Sequence, residues 1–327
     1  MKIGILGATG AVGRQMLDCL IEQEIPVDDL VLLASKKSAG QIIRFKDKDY
    51  EVKEVNHDSF KGLDVVLGAS SNEVAKQYKD DIVKEKAVFI DNSSAFRMDD
   101  DVPLIVPEIN GSDVKKHKGV ISNPNCSTII TLMAINAINK LSKVKVMIAS
   151  TYQAVSGAGK GGIDELNKEI NDIDYKPSVF PYTIAYNCIP CIGSLKDNLY
   201  TSEEIKMENE GKKILHNDDL RVTCTCVRVP VLRSHCISVS LKCERALSVT
   251  EVREALSKEA GLILYDDVLD NKYPMPLVTS NQDKVYVGRI REDRVLEGGI
   301  SLFCSGDQIR KGAASNAVGI IKCLYED

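Results

Sequence analysis

The N-terminal residues constrain the fold most, because they place a glycine-rich turn directly between a strand and a helix. Residues 2–6 form a short apolar run that is typical of a buried parallel strand. The turn at residues 7–13 follows at once, and residues 14–20 then open a helix. Glycines let the backbone approach a pyrophosphate, which the N–H groups of a helix N-terminus neutralise. This order of elements predicts a dinucleotide site; the alternative is a tight turn without a ligand.

The residues after the second predicted strand bear on which nicotinamide cofactor binds. The apolar run at residues 30–34 ends in Ser35, Lys36, Lys37 and Ser38. An NAD-selective site usually has an acidic residue here, which binds the ribose 2′-hydroxyl. This segment instead offers two cations and two hydroxyls to a 2′-phosphate. We therefore expect NADP; a solvated basic loop is the alternative.

One cysteine stands where a loop turns into a helix. Cys126 follows Pro124 and Asn125, and residues 129–138 have the apolar spacing of a buried helix. The positive end of a helix dipole favours the thiolate, which is the nucleophilic form of cysteine. The polar, turn-rich surroundings favour a nucleophile at Cys126 over a small buried residue that only fills space.

The pattern of strands and helices changes once along the chain. Strand-like and helical segments alternate through the first third, which indicates a doubly wound sheet. From residue 144, longer alternating strands indicate an antiparallel or mixed sheet covered by helices. We predict an α/β fold with a Rossmann-type NADP-binding domain over residues 1–126, completed by a C-terminal helix in residues 309–327. A mixed-sheet α+β domain is predicted over residues 127–308.

Composition and charge exclude several classes of partner. The net charge of -5 on 327 residues gives no general attraction to nucleic acid or to an anionic membrane. The apolar runs stay below the roughly 18 residues of a membrane span, and the first residues lead into a strand rather than a signal peptide. We therefore expect a cytoplasmic protein. The 10 cysteines then indicate reduced thiols, and their spacings match no zinc-finger pattern, so we expect no metal site.

Five motifs resemble, in order, those of the aspartate-β-semialdehyde dehydrogenase family, and the similarity runs over essentially the whole chain. They are GATGAVG at residues 7–13, DNSSAFRM at 91–98, NPNCST at 123–128, TYQAVSGAG at 151–159 and RVPVLRSH at 228–235. The resemblance implies that the second domain is a catalytic and dimerisation domain of the glyceraldehyde-phosphate-dehydrogenase type. It also implies a homodimer or homotetramer.

The activity that the resemblance implies is the NADPH-dependent reductive dephosphorylation of L-4-aspartyl phosphate to L-aspartate 4-semialdehyde. This reaction serves the biosynthesis of lysine, threonine, methionine and isoleucine. Cys126 would attack the acyl carbon and expel phosphate, forming a thioester that hydride then reduces. By the same resemblance, His235 would take and return the protons, and Gln153 would orient the acyl intermediate.

The resemblance also implies partners for the charged groups of the substrate. Arg228 would bind the α-carboxylate through a bidentate fork, and Glu203 would pair with the α-ammonium group. The implied phosphate ligands are Lys206, Arg97 and Asn125. Because Glu203 and Lys206 lie three residues apart in a charged run, an exposed helix pair is the alternative. The neighbouring Glu204 is an alternative partner for the ammonium group.

The cofactor contacts extend beyond the first glycine turn. By resemblance they are Gly7, Thr9, Gly10, Ala11, Val12, Ser35, Lys37, Ser38, Ser156, Gly157 and Asn316. An N-acetylglutamyl-phosphate reductase would share the glycine turn, cysteine and histidine, but its acetylated substrate has no ammonium group for Glu203. A non-catalytic NADP-binding homologue should have lost Cys126, Gln153, Arg228 or His235, and all four are present.

Overall fold

The computed structural model describes residues 1–172 and 174–325, so Ile173, Glu326 and Asp327 lie outside it, the last two within the predicted C-terminal segment. The chain divides into two compact units, residues 1–125 with 313–327 and residues 126–312. The strands are β1 (Lys2–Leu6), β2 (Asp29–Ala34), β3 (Ile42–Phe45), β4 (Lys48–Glu54), β5 (Val65–Gly68), β6 (Val88–Asp91), β7 (Val120–Ser122), β8 (Val144–Gln153), β9 (Arg221–Arg228), β10 (His235–Cys243), β11 (Leu262–Leu264), β12 (Val285–Glu292) and β13 (Ile300–Gly306). The α-helices are α1 (Ala11–Glu22), α2 (Asn72–Lys84), α3 (Pro107–Asn110), α4 (Cys126–Leu141), α5 (Gly159–Asn171), α6 (Ser202–Leu215), α7 (Val249–Lys258), α8 (Pro276–Thr279) and α9 (Ser315–Tyr325).

The first unit contains a seven-stranded sheet in the order β3-β4-β2-β1-β5-β6-β7. Its strands pair in parallel except for β3, which pairs antiparallel with β4. The chain moves from β1 to β2 on one side and returns to β5 on the other, which creates a switch point at β1. Ligands of doubly wound sheets bind outside the carboxyl ends of the strands at such a point. The Rossmann-type prediction is confirmed.

The core of the first unit joins the first strand, the first helix and the last helix. Ile3 and Ile5 of β1 are fully buried, and they belong to one cluster with Met16 of α1 and Ile320 of α9. Burying each such side chain contributes about 1.5–3 kcal/mol. The C-terminal helix, predicted from residue 309, instead begins with a π-helical turn at Arg310–Ala314 and continues as α9. None of the described helices combines the length and apolar character needed to cross a membrane.

The second unit contains a six-stranded sheet in the order β11-β12-β13-β10-β8-β9. The pairs β8–β9 and β11–β12 are parallel and the other pairs are antiparallel, which confirms the mixed sheet. Because β8 runs parallel to β9 and antiparallel to β10, the ends of β8 and β9 and the start of β10 meet at one edge. This edge carries Gln153, Arg228 and His235.

The two faces of this sheet have different surroundings. Side chains alternate between the faces of a strand, and in β8 the buried Met147 and Ala149 alternate with the exposed Ile148. Helices α4 and α7 pack together, and α4 also packs on β8, β10, β12 and β13. The face that carries Ile148 also presents Tyr152, which is 40 % exposed.

Candidate active site

A cavity of about 480 Å³ in the first unit lies against the glycine turn, at the carboxyl end of β1. Four of the predicted cofactor contacts line it, Gly7, Thr9, Gly10 and Ser35. Lys36, from the basic segment after the second strand, lines it as well. The remaining lining residues are Leu6, Ala34, Glu54, Val55, Ala69, Ser70, Val74, Gln77 and Tyr78. The cavity therefore combines the phosphate-binding turn and the end of the second strand, as a dinucleotide site requires.

At two of its glycines the turn has no room for a side chain. Gly7 has a φ of 92°, and a Cβ atom there would lie 2.4 Å from the carbonyl oxygen of Ala69. A Cβ atom on Gly13 would lie 2.3 Å from the carbonyl oxygen of Gly7. Helix α1 starts directly after the turn, so that Ala11 and Val12 present N–H groups at its positive end. These features fit the pyrophosphate of a nicotinamide dinucleotide.

The structure adds an acid to the cavity that sequence reasoning missed. Glu54 ends β4 and pairs with Ala34 at the end of β2, so it reaches the cavity from a neighbouring strand. A sequence alone does not show which strand lies beside the second one, so Glu54 could not be placed here from its position in the chain. Lys37 and Ser38 continue the short 3₁₀-helix Lys36–Ser38 and are not among the described residues that line the cavity.

The predicted phosphate ligand and the predicted nicotinamide contact of the first unit meet at Asn123. Arg97 is 7 % exposed and donates from Nε to the carbonyl oxygen of Asn123 at 2.9 Å. Its Nη2 donates to the carbonyl oxygen of Asn92 at 2.8 Å. Asn316 donates to Oδ1 of Asn123 at 2.7 Å from a fully buried position. Asn125, the third predicted residue in this region, is also buried.

In the second unit, the backbone of one residue, Ala154, holds two of the predicted catalytic and binding side chains. The carbonyl oxygen of Ala154 accepts a hydrogen bond of 2.7 Å from Nη1 of Arg228. The N–H of the same residue donates to Nδ1 of His235 at 3.0 Å. Gln153 precedes Ala154 and pairs in register with Arg228 across β8 and β9. The structure therefore brings Gln153, Arg228 and His235 together.

His235 is neutral in this environment. It is fully buried, and burial together with the nearby charge of Arg228 lowers its pKa to about 3. Because Nδ1 accepts from Ala154, the neutral ring carries its proton on Nε2. Nε2 has no hydrogen-bond partner among the residues that the structure describes. The ring can therefore offer a proton at Nε2.

Arg228 is a buried cation with acidic groups nearby. Burial lowers the pKa of its guanidinium, while the charges of Cys126 and Glu203 act in the opposite direction. An arginine remains protonated despite such a shift. Gly157 permits this packing, because a Cβ atom there would lie 2.7 Å from Nη1 of Arg228 and 3.2 Å from Cε1 of His235. Ser156 precedes it on the short 3₁₀-helix Val155–Ala158 and is buried.

Glu203 contacts Gln153, whereas its neighbour Glu204 caps the N-terminus of α6. Glu203 accepts a hydrogen bond of 3.0 Å from Lys206 and a longer one of 3.5 Å from Gln153. Glu204 is the N3 residue of a capping box at the start of α6, where its Oε2 accepts from the N–H of Thr201. Its Oε1 accepts from the N–H of Cys226. The side chain of Glu203 is 10 % exposed, so this pair is not an ordinary surface pair.

Cys126 is the first residue of α4, as the sequence predicts. Cys126 is half-buried, and a negative charge on its sulfur would raise the pKa of Arg228. A Cβ atom on Gly312 would lie 2.8 Å from Cβ of Cys126, so only glycine fits there. A cysteine at a helix N-terminus beside a guanidinium is in the kind of electropositive environment that favours thiolate.

Comparisons with known proteins point to one enzyme family. The family models described as "Semialdehyde dehydrogenase, NAD binding domain" and "Semialdehyde dehydrogenase, dimerisation domain" match residues 2–117 and 135–311. The aspartate-semialdehyde dehydrogenase of Aquifex aeolicus is 45% identical, with 100% of this chain and 98% of the relative covered. That of Campylobacter jejuni is 46% identical, with 99% and 97% covered.

A solved structure gives the same result. Aspartate semialdehyde dehydrogenase II of Vibrio cholerae, complexed with ASA, is similar with a TM-score of 0.97 and 38% identity, over 100% of this chain and 98% of that one. The chain belongs to the aspartate-semialdehyde dehydrogenase family. It is therefore an oxidoreductase of amino-acid biosynthesis with a nicotinamide-binding domain and a dimerisation domain.

The other cysteines of this dehydrogenase have different environments from Cys126. Cys236 adjoins His235, but successive strand residues face opposite ways; it donates to Oγ of Ser305, and burial raises its pKa to about 11. Cys224 and Cys226 are buried with their Sγ atoms 3.7 Å apart. Among the described residues, no group of three or more His, Cys, Asp and Glu side chains is arranged to hold a metal ion.

Proposed function

We propose that this family member catalyses the NADPH-dependent reductive dephosphorylation of L-4-aspartyl phosphate to L-aspartate 4-semialdehyde, through a thioester on Cys126. The observation that carries the proposal is the edge of the second sheet. There Gln153, Arg228 and His235 meet, Glu203 reaches Gln153, and Cys126 lies close enough to Arg228 for a charge on its sulfur to affect the guanidinium. This set offers a nucleophile, a proton carrier and binding groups for the α-carboxylate and the α-ammonium group of an amino-acid side-chain acyl phosphate.

The first chemical step forms the thioester. The Cys126 sulfur attacks the acyl carbon, the bond from that carbon to the phosphate oxygen breaks, and the thiol proton leaves with the phosphate. In the resting tautomer, the Nε2–H group of His235 donates to the oxygen that gains negative charge in the tetrahedral intermediate. Gln153 holds the acyl group through its side-chain amide.

The second step reduces the thioester. The bound nicotinamide cofactor supplies the hydride. His235 again donates to the charged oxygen of the thiohemiacetal, which collapses to the aldehyde as the carbon–sulfur bond breaks and the sulfur regains its electron pair. In the reverse direction Nε2 takes the hydroxyl proton of the thiohemiacetal. That role requires the ring to carry its other proton on Nδ1 and to release the N–H of Ala154.

The charged groups of the substrate define the remaining roles. We assign the α-carboxylate to Arg228 and the α-ammonium group to Glu203, because both carboxylate oxygens of Glu204 already accept backbone N–H groups. Phosphate is assigned to Lys206 and Arg97, with Asn125 as a helper. Glu203 would have no partner in an N-acetylated substrate, which favours aspartyl phosphate over N-acetylglutamyl phosphate.

NADP is the proposed cofactor. Its pyrophosphate would lie against Gly7, Thr9 and Gly10 and the N–H groups of Ala11 and Val12. Its 2′-phosphate would lie near Ser35, Lys36, Lys37 and Ser38. We further assign Ser156, Gly157 and Asn316 to the nicotinamide end. Support comes from the cavity, which Lys36 and Ser35 line beside the glycine turn.

The cellular setting is also proposed. We infer a cytoplasmic homodimer, or a homotetramer built from it, that contributes to the lysine, threonine, methionine and isoleucine pathways. We propose that residues 1–126 with 309–327 form the NADP-binding domain and that residues 127–308 form the catalytic and dimerisation domain. The dimerisation-domain match over residues 135–311 supports this assignment.

The test is NADP reduction by L-aspartate semialdehyde with and without inorganic phosphate. Turnover should depend on phosphate, because the thioester is released as the acyl phosphate only when phosphate attacks it. Cys126→Ala should abolish turnover while NADP binding stays nearly intact. The exposed Cys188 gives the matched control, and Cys188→Ala should retain activity.

Two outcomes would contradict the proposal. Cys126→Ala with more than a few per cent of wild-type turnover would exclude the thioester. Faster turnover of N-acetylglutamate semialdehyde than of aspartate semialdehyde would assign the chain to the acetylated substrate instead.

A further inference from the structure

An aromatic ring covers the guanidinium group of Arg228. Cζ of Arg228 lies 5.7 Å from the centroid of the Phe180 ring, within the roughly 6 Å of a cation–π contact. Arg228 is 7 % exposed, so the contact lies in a largely desolvated place where such an interaction is strongest. With Nη1 bound to the carbonyl oxygen of Ala154, the guanidinium is fixed from two directions. Phe180 belongs to none of the motifs that indicate the site in the sequence.

A single buried carboxylate fixes the backbone at Phe180. Glu165 of α5 is 1 % exposed, and its Oε1 accepts from the N–H of Phe180 at 2.9 Å. Its Oε2 accepts from the N–H groups of Ser178 and Val179 at 2.6 and 2.7 Å, and from the hydroxyl of Ser178 at 2.9 Å. Burial raises the pKa of Glu165, but these hydrogen bonds outweigh it and hold the pKa below its ordinary value. The carboxylate is therefore ionised at neutral pH.

The same helix anchors the segment a second time, one turn further on. Glu169 accepts from the N–H groups of Ile184 and Ala185 at 2.9 and 2.8 Å. Beyond it, Ile189 exchanges backbone hydrogen bonds of 2.9 and 2.8 Å with Arg228. Residues 178–185, which we name the α5 strap, are therefore tied to α5, and the chain that follows is tied to the Arg228 backbone.

The ring also contacts α5 and the apolar cluster beneath it. A Cβ atom on Gly162 of α5 would lie 3.1 Å from Cζ of Phe180. The ring packs against a cluster that includes Val155, Leu166 and Ile184. Phe180 therefore links α5 to the guanidinium of Arg228. An arginine side chain has several rotatable bonds, which substrate binding would otherwise have to order.

We propose that Phe180 is a positioning residue for Arg228: its ring fixes the plane of the guanidinium so that the fork faces the substrate carboxylate, and Glu165 fixes the ring. The inference rests on the proposed role of Arg228 in binding the α-carboxylate. It goes beyond that role, because it makes substrate affinity depend on a segment that contributes no atom to the chemistry. Preorganising a binding group in this way lowers the entropy cost of binding.

The experiment compares two replacements of Phe180 that separate shape from ring electrostatics. Phe180→Leu removes the π face, and 3,5-difluorophenylalanine at position 180 keeps the shape but weakens the negative charge of the face. A contact of about 1.4 kcal/mol, within the range of cation–π contacts, corresponds to a KM for aspartate semialdehyde raised about tenfold in Phe180→Leu. The fluorinated variant should show a smaller rise in the same direction. The kcat and the KM for NADP should stay within about twofold, because the proposed role of the ring is confined to placing the Arg228 guanidinium.

The matched control is Tyr182→Leu, an equivalent replacement within the α5 strap at a ring that is 68% exposed; it should leave all constants near wild type. Glu165→Gln tests the anchor. An amide has only one oxygen that accepts, so it cannot replace both carboxylate oxygens in the four hydrogen bonds, and the KM for aspartate semialdehyde should rise. Adding Phe180→Leu to Glu165→Gln should raise this KM little further. Melting temperatures show whether each variant folds. If Glu165→Gln does not fold, the KM of the fluorinated variant still tests the role of the ring.

The outcomes separate this inference from the proposed function. A normal KM in both Phe180 variants, with a raised KM in Arg228→Lys, would overturn the role of Phe180 alone. A raised KM in Phe180→Leu together with a normal KM in the fluorinated variant would also overturn it, because packing would then suffice. A normal KM in Arg228→Lys would instead remove the proposed role of Arg228.

Discussion

The buried histidine makes stability depend on pH. The pKa of His235 is lowered from 6.5 to about 3 in the folded chain by burial and by Arg228. Below pH 6.5 the unfolded chain binds a proton at this position that the folded chain does not bind until about pH 3. As the pH is lowered from 6.5 to about 3, the free energy of unfolding should therefore decrease, by up to about 1.4 kcal/mol per pH unit from this group. Urea unfolding across the window measures it.

Other groups titrate in the same range, so a variant isolates the contribution of His235. His235→Asn removes the titrating ring, and its free energy of unfolding should fall less steeply between pH 6.5 and pH 4 than that of the wild type. Parallel curves for the two proteins would show that the ring is protonated equally in the folded and unfolded chains. The proposed neutral state of His235 would then be wrong.

The two arginines assigned to the substrate should respond differently to loss of the guanidinium fork. Arg228→Lys keeps the charge but not the bidentate geometry for a carboxylate. Truncating a buried charge pair costs roughly 2–5 kcal/mol, so a fall in kcat/KM of about a hundredfold is expected, while NADP binding is unchanged. Arg97→Lys should lose less, mainly as a raised KM for phosphate, since phosphate also accepts a point charge. The reverse pattern would exchange the two assignments.

Residue identities at the site could be predicted from the sequence, but their contacts could not. The motifs pick out Cys126, Gln153, Arg228 and His235. The hydrogen bonds of Ala154 join positions 74 and 81 residues apart, to Arg228 and His235. Such contacts depend on which strands pair and in which register, and neither is encoded locally. The same reason hid Glu54 and Phe180, which reach their sites from other elements.

The end of the second strand carries the prediction on cofactor choice. Replacing both Lys36 and Lys37 by alanine should raise the KM for NADP about tenfold or more, because a charge-assisted hydrogen bond to phosphate contributes roughly 1.5–3 kcal/mol. The KM for NAD should hardly change, since NAD has no 2′-phosphate. Initial rates with each cofactor at saturating aspartate semialdehyde measure the effect. An unchanged preference would place the phosphate elsewhere.

Glu54 supplies the control of opposite sign for that experiment. It lines the same cavity as Lys36, and its negative charge opposes a 2′-phosphate. Glu54→Gln should therefore lower the KM for NADP and leave or raise that for NAD, whose ribose hydroxyls a carboxylate can bind. A higher KM for NADP in Glu54→Gln would mean that the acid supports the phosphate site through its lysines.

Elements with strong apolar periodicity were predicted well, and short polar ones were not. Helix α4 and strands β1 and β2 lie where their apolar runs indicate. The hairpin of β3 and β4 was not predicted, because these strands alternate charged and apolar residues over a short stretch. The turn between them also places Lys46 at a φ of 52°, a left-handed conformation that lysine rarely adopts, so the sequence does not indicate a turn there. The sheet edge itself stabilises this hairpin, and a local pattern cannot show that.

For the whole molecule, the face of the second sheet that carries Ile148 bears on assembly. Ile148 is 42% exposed, and the rings of Tyr152 and Phe303 on the same face lie 6.2 Å apart. Apolar side chains exposed together on one sheet face often mark an interface. It lies in the part of the chain that matches a dimerisation domain. We therefore expect two copies to pair through this face.

Light scattering after size exclusion tests that pairing. The wild type should have about twice the 35.9 kDa mass of one chain, and Ile148→Lys should shift it towards one chain, because burying an unpaired charge is costly. Ile42→Lys is the matched control, since Ile42 is 60% exposed on β3 of the first unit; it should keep the wild-type mass. A mass of four chains that Ile148→Lys reduces to two would mean that this face joins two dimers. A mass unchanged by Ile148→Lys would place the contact elsewhere on the second unit.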